Sequence, residues 1–98
     1  TNVIIFVTGA RGSGKSTLAK ELCRKMGALN LDGDAMRKVW TDLKFSDEDR
    51  FENNMRVARL AKELEEQGFD VIVSTICPDI NNLRQEVFYI CKCKFIHL

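Results

Sequence analysis

The sequence lacks both an excess of charge of one sign and a long apolar run. Its 15 basic and 14 acidic residues leave a formal net charge of +1. Without a basic field the chain cannot gather nucleic acid or an anionic membrane by charge, so we expect a small-molecule partner, no nucleic acid and no membrane. The opening apolar stretch, residues 3–7, is far shorter than the roughly 20 residues of a membrane span and is no signal peptide. The compartment we expect is the cytoplasm.

Closely spaced cysteines and biased segments are also scarce. Of the four cysteines only Cys91 and Cys93 are near neighbours, and their spacing differs from the two-residue gap typical of zinc and thioredoxin-like sites. We therefore expect reduced thiols that pack or face solvent. No repeat, low-complexity stretch or linker divides the chain, and 45% hydrophobic with 30% charged residues is typical of a globular protein. The sequence predicts one domain over residues 1–98.

Apolar runs alternate with helical periodicities along the chain. The runs at 3–7, 28–31, 71–73 and 94–98 predict four strands. Helical spacing predicts helices over 17–25, from 34 through 40, from 46 to 68, and from about 80 to 89. Ser46 followed by Asp49 is an N-cap pattern for the third helix. The order βαβαβαβ predicts an α/β fold with a parallel sheet.

The segment after the first predicted strand matches G-x-x-x-x-G-K-[ST] over residues 9–16. Backbone N–H groups of such a loop point inward, and the following helix adds its partial positive charge at the same place. We expect Lys15 to reach the β and γ phosphates of ATP and the Ser16 hydroxyl to ligate Mg²⁺. The residues predicted to bind the ATP phosphates are Gly9, Ala10, Arg11, Gly12, Ser13, Gly14, Lys15, Ser16 and Thr17.

Acidic residues elsewhere separate the classes of P-loop protein. The third predicted strand ends without the aspartate that motor ATPases use, and the sequence has no Asn-Lys-x-Asp segment for reading guanine. Asp32 and Asp34 instead follow the second strand, where they would face the departing γ-phosphate. A carboxylate there can orient or deprotonate an acceptor hydroxyl or hold a Mg²⁺-bound water. The alternative is that Asp34 only caps the following helix.

Several segments resemble the adenylylsulfate kinase family, which phosphorylates the 3′-hydroxyl of adenosine 5′-phosphosulfate with MgATP. The resemblance runs from the P-loop through residues 31–37, 45–50, 52–53 and 56–57 to residues 76–78. It implies a three-layer P-loop NTPase fold with a parallel sheet flanked by helices. It also implies that the family's C-terminal lid and last strand are missing from a truncated chain, and that the protein forms a homodimer.

The resemblance further implies roles for single residues. Asp34 would act at the acceptor hydroxyl with support from Asp32, and these two with Lys15 form the catalytic set. The acceptor-binding residues implied are Asp34, Arg37, Phe45, Arg50, Asn53, Ile76 and Cys77. The arginines and Asn53 would hold the phosphosulfate and nucleotide, and Phe45 would stack on adenine. Guanidinium forks and an aromatic ring suit such a ligand, although the residues alone allow solvated arginines and a core phenylalanine.

Departures from the family pattern keep other functions open. Cys77 and Asp79 stand where the family has serine and tyrosine, and Met55 stands where it has arginine. The predicted function is MgATP-dependent phosphorylation of adenosine 5′-phosphosulfate by positioning and charge stabilisation. The alternatives are a relative that phosphorylates another nucleotide-like or sugar hydroxyl, and a nucleotide-binding module without catalysis.

Overall fold

A computed structural model describes residues 2–78 and 81–98 as an α/β fold. The strands are β1 (Ile4–Thr8), β2 (Leu29–Asp32), β3 (Val71–Thr75) and β4 (Lys94–His97). The helices are α1 (Lys15–Met26), α2 (Gly33–Val39), α3 (Asp47–Glu66) and α4 (Leu83–Cys91). All four predicted strands are confirmed to within two residues at either end. The four predicted helices are also present, although the predicted start of the last one, near Ile80, lies outside the described residues.

The strands pair in parallel in the order β2-β3-β1-β4. The chain leaves β1 for β2 on one side, and it later crosses from β3 past β1 to β4 on the other side. A crevice therefore opens between the carboxyl ends of β1 and β3, at the point where the strand order reverses. Open α/β sheets bind their ligands at such switch points.

Helices cover both faces of the sheet because the central strands are apolar on both. Phe6 of β1 packs into the larger core with α3 and α4, whereas its neighbour Val7 packs with Ala19 of α1 and Ile72 of β3. Phe6, Val7 and Ile72 are fully buried. Strands covered on both faces read as continuous apolar runs, which explains why the sequence revealed them. The predicted three-layer P-loop NTPase fold is confirmed.

Helix starts follow local hydrogen bonds. The Ser46 hydroxyl accepts a hydrogen bond from the Asp49 N–H at 3.2 Å, so the predicted cap of α3 is confirmed. The cap of α2 is Asp32, whose side chain accepts a hydrogen bond from the Asp34 N–H at 2.9 Å. The alternative that Asp34 is only a helix cap is therefore wrong. Because Asp34 lies inside the first turn of α2, its carboxylate is available for other contacts.

None of the four cysteines forms a disulfide within the described residues. Cys77, Cys91 and Cys93 are buried in the larger core, and Cys23 is half-buried beside α1's apolar face. Over residues 2–78 and 81–98, no helix is both long and apolar enough to cross a membrane.

Candidate active site

The P-loop surrounds a cavity at the start of α1. Gly14, with φ of 90°, takes a left-handed conformation that glycine adopts without strain, and it turns the loop straight into the helix. This geometry starts α1 at Lys15, two residues earlier than predicted. The cavity has a volume of about 320 Å³, within the range of ligand pockets. Its lining consists of Gly12, Gly14, Lys15, Ser16 and Thr17.

The local electrostatics of this cavity suit an anion. The first turn of α1 carries no acidic residue, so nothing opposes the partial positive charge at the helix N-terminus. The Ser13 hydroxyl oxygen is buried and has no hydrogen-bond partner among the described residues. Ser13 does not line the cavity, so the case for an anion rests on the backbone of the loop and the N-terminus of α1. The cavity can therefore hold phosphate groups.

A turn with two carboxylates lies at the end of β2. Asp32 is used as the cap of α2, whereas the Asp34 side chain is 71% exposed and accepts a hydrogen bond from Arg37 Nη1 at 3.0 Å. Between them Gly33 lies against the end of β3: a Cβ at this position would be 2.7 Å from Thr75 Oγ1 and 3.1 Å from Thr75 Cβ. Only glycine lets the turn approach β3 this closely. This contact positions the backbone of the next residue, Asp34, beside the end of β3.

A second cavity opens beside this carboxylate turn. It is lined by Arg11, Asp34, Arg37, Phe45, Arg50, Thr75 and Ile76. The Arg37 guanidinium lies over the Phe45 ring, 4.6 Å from its centre, although 61% of Phe45 is exposed. The cavity volume is about 30 Å³, too small for a nucleotide, so a ligand of that size needs the lining residues to move. We call this space the acceptor cavity.

Five of the predicted acceptor residues meet at this cavity and two do not. The five are Asp34, Arg37, Phe45, Arg50 and Ile76. Cys77 is 3% exposed and lies in the larger core, while Asn53 is 1% exposed. In this conformation neither side chain reaches the acceptor cavity, so their contact with an acceptor stays a prediction.

Asn53 instead connects α3 to the carboxylate turn. Its Oδ1 accepts a hydrogen bond from Trp40 Nε1 at 2.7 Å, and its Nδ2 donates to the Gly33 carbonyl at 3.2 Å. Since Gly33 lies between the two carboxylates, this buried amide holds the turn that carries Asp34. No local pattern in the sequence indicates this pairing, because Trp40 follows the end of α2, Asn53 lies on α3, and the two meet only in the folded chain.

Arg56 of α3 forms hydrogen bonds to Asp42 in the segment between α2 and α3. Its Nη1 and Nη2 donate to the two carboxylate oxygens of Asp42, each at 2.8 Å, and its Nε donates to Glu52 at 2.7 Å. The guanidinium also lies 5.9 Å from the centre of the Trp40 ring. Hydrogen bonding to Arg56 holds the pKa of Asp42 below its ordinary value. This network supports the segment from which Phe45 projects.

Sequence reasoning missed two features of the acceptor cavity. Thr75 lines it from the end of β3, and the only signal was a polar pair, Ser74 and Thr75, closing an apolar strand. Arg11, which the sequence predicts at the ATP phosphates, lines the acceptor cavity and is not in the lining of the phosphate cavity, so its contact with ATP stays a prediction. The general P-loop pattern leaves this position unspecified, so it does not reveal where its side chain goes.

A P-loop between a central parallel strand and a helix, beside an arginine-rich cavity, places the chain in the P-loop NTPase class. At the level of families, the model of the adenylylsulphate kinase family matches residues 1–98. The chain belongs to that family, and the resemblance predicted from the sequence is confirmed.

Individual relatives agree with the family match. The chain is 42% identical over 87 residues to an adenylyl-sulfate kinase of Paraburkholderia xenovorans. The alignment covers 83% of this chain and 49% of the relative. It is 47% identical over 81 residues to an adenylyl-sulfate kinase of Bacillus licheniformis, in an alignment that covers 76% of this chain and 41% of that relative. The chain thus spans about half the length of the curated relatives it matches.

A solved structure shows the same likeness in three dimensions. The structure of the Mycobacterium tuberculosis APS kinase in complex with AMPPNP and APS matches with a TM-score of 0.84 and 34% sequence identity. The match covers 98% of this chain and 60% of that chain. The arrangement of strands and helices described above is therefore that of an APS kinase over the compared part.

Proposed function

We propose that the protein transfers the γ-phosphoryl group of MgATP to the 3′-hydroxyl of adenosine 5′-phosphosulfate. One observation carries the proposal: Arg11 and Gly12, which are neighbours in the chain, line two different cavities, one suited to phosphates and one rich in arginine. A kinase needs a donor site and an acceptor site that meet at the transferred group. The names of the relatives and the bound molecules of the similar structure support the choice of acceptor.

The phosphate cavity would hold the donor. Backbone N–H groups of the P-loop and the N-terminus of α1 would bind the phosphate oxygens, and Lys15 would contact the β and γ phosphates. Among the described residues no group of three or more His, Cys, Asp or Glu side chains is placed to hold a metal. Ser16 with phosphate oxygens and water is the donor set that Mg²⁺ prefers in such sites. When bound, the ion would neutralise charge on the phosphates.

The acceptor cavity would orient the nucleophile. Asp34 would accept the proton of the acceptor hydroxyl while the new P–O bond forms and ADP leaves with the electrons of the broken bond. Arg37 holds Asp34 at 3.0 Å in the described state, so acceptor binding requires this guanidinium to share or exchange its partner. Phe45, once separated from Arg37, would offer its face to adenine. The homodimer implied by the resemblance stays a prediction.

A coupled assay of ADP release tests the proposal. We expect ADP release from MgATP to depend on adenosine 5′-phosphosulfate, and to fall at least about 100-fold in Lys15→Ala and in Asp34→Asn, the size of loss typical when one transition-state contact is removed. Lys25→Ala and Glu66→Gln change exposed charges at the far ends of α1 and α3 and serve as matched controls. Each control should stay within about twofold of the unmodified chain.

Other outcomes of this assay distinguish the alternatives. ATP binding without ADP release with any acceptor would contradict the proposed kinase activity and identify a nucleotide-binding module without catalysis. Release with another nucleotide or a sugar instead would identify a kinase with a different acceptor. Release that does not respond to Asp34→Asn would contradict the role of this carboxylate.

A further inference from the structure

Arg11 belongs to the P-loop by sequence but to the acceptor cavity by position. The phosphate cavity is lined by five P-loop residues, and Arg11 is not among them. Arg11 shares its cavity with Arg37 of α2 and Arg50 of the first turn of α3. Three arginines from three separate elements therefore line one cavity.

The charges around this space do not balance. Asp34 is the one acidic residue in the described lining, and it is already paired with Arg37 at 3.0 Å. Within residues 2–78 and 81–98, no carboxylate lies within 4.0 Å of the Arg11 or Arg50 guanidinium. Arg56, which lies outside the cavity, has by contrast two carboxylate partners. The cavity thus presents two positive charges that the described protein does not neutralise.

We propose that Arg11 recognises the anionic group of the acceptor and not the phosphates of ATP, which makes it a specificity-determining residue for an acceptor with two adjacent negative charges. This inference rests on the proposed function. A phosphosulfate carries one charge on its phosphate and one on its sulfate, which matches the two unneutralised guanidinium groups. A singly charged acceptor would leave one of these guanidinium groups without an anionic partner, and a neutral sugar would leave both without one.

The position of Arg11 also bears on the approach of donor and acceptor. Its chain neighbour Gly12 lines the phosphate cavity, so Arg11 stands where the two anionic substrates come nearest. Coulombic repulsion between two anions is strong at short distance and low dielectric. A guanidinium fork at this point reduces the repulsion by pairing with acceptor oxygens, while Lys15 remains on the donor side.

Two calorimetric titrations test the inference. The first titrates adenosine 5′-phosphosulfate into the chain saturated with ADP, and the second titrates ATP into the free chain. For Arg11→Ala we expect the Kd of adenosine 5′-phosphosulfate to rise about 10-fold, equivalent to about 1.4 kcal/mol, and the Kd of ATP to change less than about twofold. Arg11→Lys should recover only part of the loss because lysine is a point charge without the fork. Arg24→Ala, which removes a 71% exposed arginine from the outside of α1, is the control and should change neither Kd.

Three results would overturn the inference. Equal weakening of both ligands in Arg11→Ala would assign Arg11 to the donor, and no change in either would remove it from both sites. If the unmodified chain binds ATP but not adenosine 5′-phosphosulfate, the proposed acceptor itself fails and the inference fails with it. The last result appears in the unmodified chain, so it is distinguishable from the first two.

Discussion

Replacing Trp40 by phenylalanine removes one buried hydrogen bond and keeps an aromatic ring in place. The Trp40 indole N–H is the donor to Asn53 Oδ1 at 2.7 Å, and Asn53 is 1% exposed, so the amide oxygen left behind has no access to water. Leaving one buried polar group unpaired costs about 1–3 kcal/mol. In a domain of this size each 1 kcal/mol lowers the melting temperature by about 4–8 °C. The hydrogen bond from Asn53 to the Gly33 carbonyl should also weaken, because the Asn53 amide is then no longer oriented by a hydrogen bond from Trp40.

Thermal unfolding followed by far-ultraviolet circular dichroism measures the first effect, since it does not need the tryptophan. The matched control is Tyr89→Phe, which removes a polar group from an aromatic ring that is 78% exposed and should change stability by less than about 0.5 kcal/mol. The ADP-release assay measures the second effect: kcat should fall more than the KM for ATP rises, because the turn carrying Asp34 moves and the P-loop does not. A Trp40→Phe variant as stable as the control would refute the reasoning about Asn53.

Two further predictions concern the same part of the fold. Gly33→Ala places a Cβ 2.7 Å from Thr75 Oγ1, so we expect a loss of about 1–3 kcal/mol in thermal unfolding together with a lower kcat as Asp34 is displaced; unchanged stability would contradict the close approach. Because Arg56 holds the pKa of Asp42 below its ordinary value of 3.8, the stabilisation from this pair is fully present above that pH and is lost as the pH falls below it through the lowered pKa. Asp42→Asn should flatten the acid end of a plot of melting temperature against pH, and an unchanged plot would contradict this pairing.

The layered fold was predictable because each element carries a local signal. The central strands are covered on both faces and therefore appear in the sequence as uninterrupted apolar runs. The start of α3 is indicated by Ser46, whose hydroxyl caps the helix. The P-loop combines a fixed residue spacing with a strand before it and a helix after it, and Lys15 and Ser16 line one cavity there, while their contacts with ATP and Mg²⁺ stay predictions. These features depend on neighbours within a few residues.

The details of the acceptor side were not predictable because they depend on contacts between distant segments. Asp32 and Asp34 are both reasonable caps by sequence, and only the backbone conformation of the turn selects Asp32. Asn53 is buried on α3, and its partner Trp40 lies 13 residues earlier in the chain, after the end of α2. Arg11 belongs to a loop whose general pattern allows any residue at this position.

The close contact between Gly33 and Thr75 seats the carboxylate turn on the end of β3, so the sheet sets the distance across the site. The P-loop follows β1 and the carboxylate turn follows β2, with β3 hydrogen-bonded between them. Adjacent strands are about 4.8 Å apart, so the two ends are held roughly 10 Å from each other by two ladders of hydrogen bonds. The sheet thus keeps the P-loop and the carboxylate turn at a fixed separation. Substitutions on α2 and α3 that leave Gly33 and its hydrogen bond from Asn53 intact can therefore change which molecule is accepted without changing how far Asp34 stands from the triphosphate.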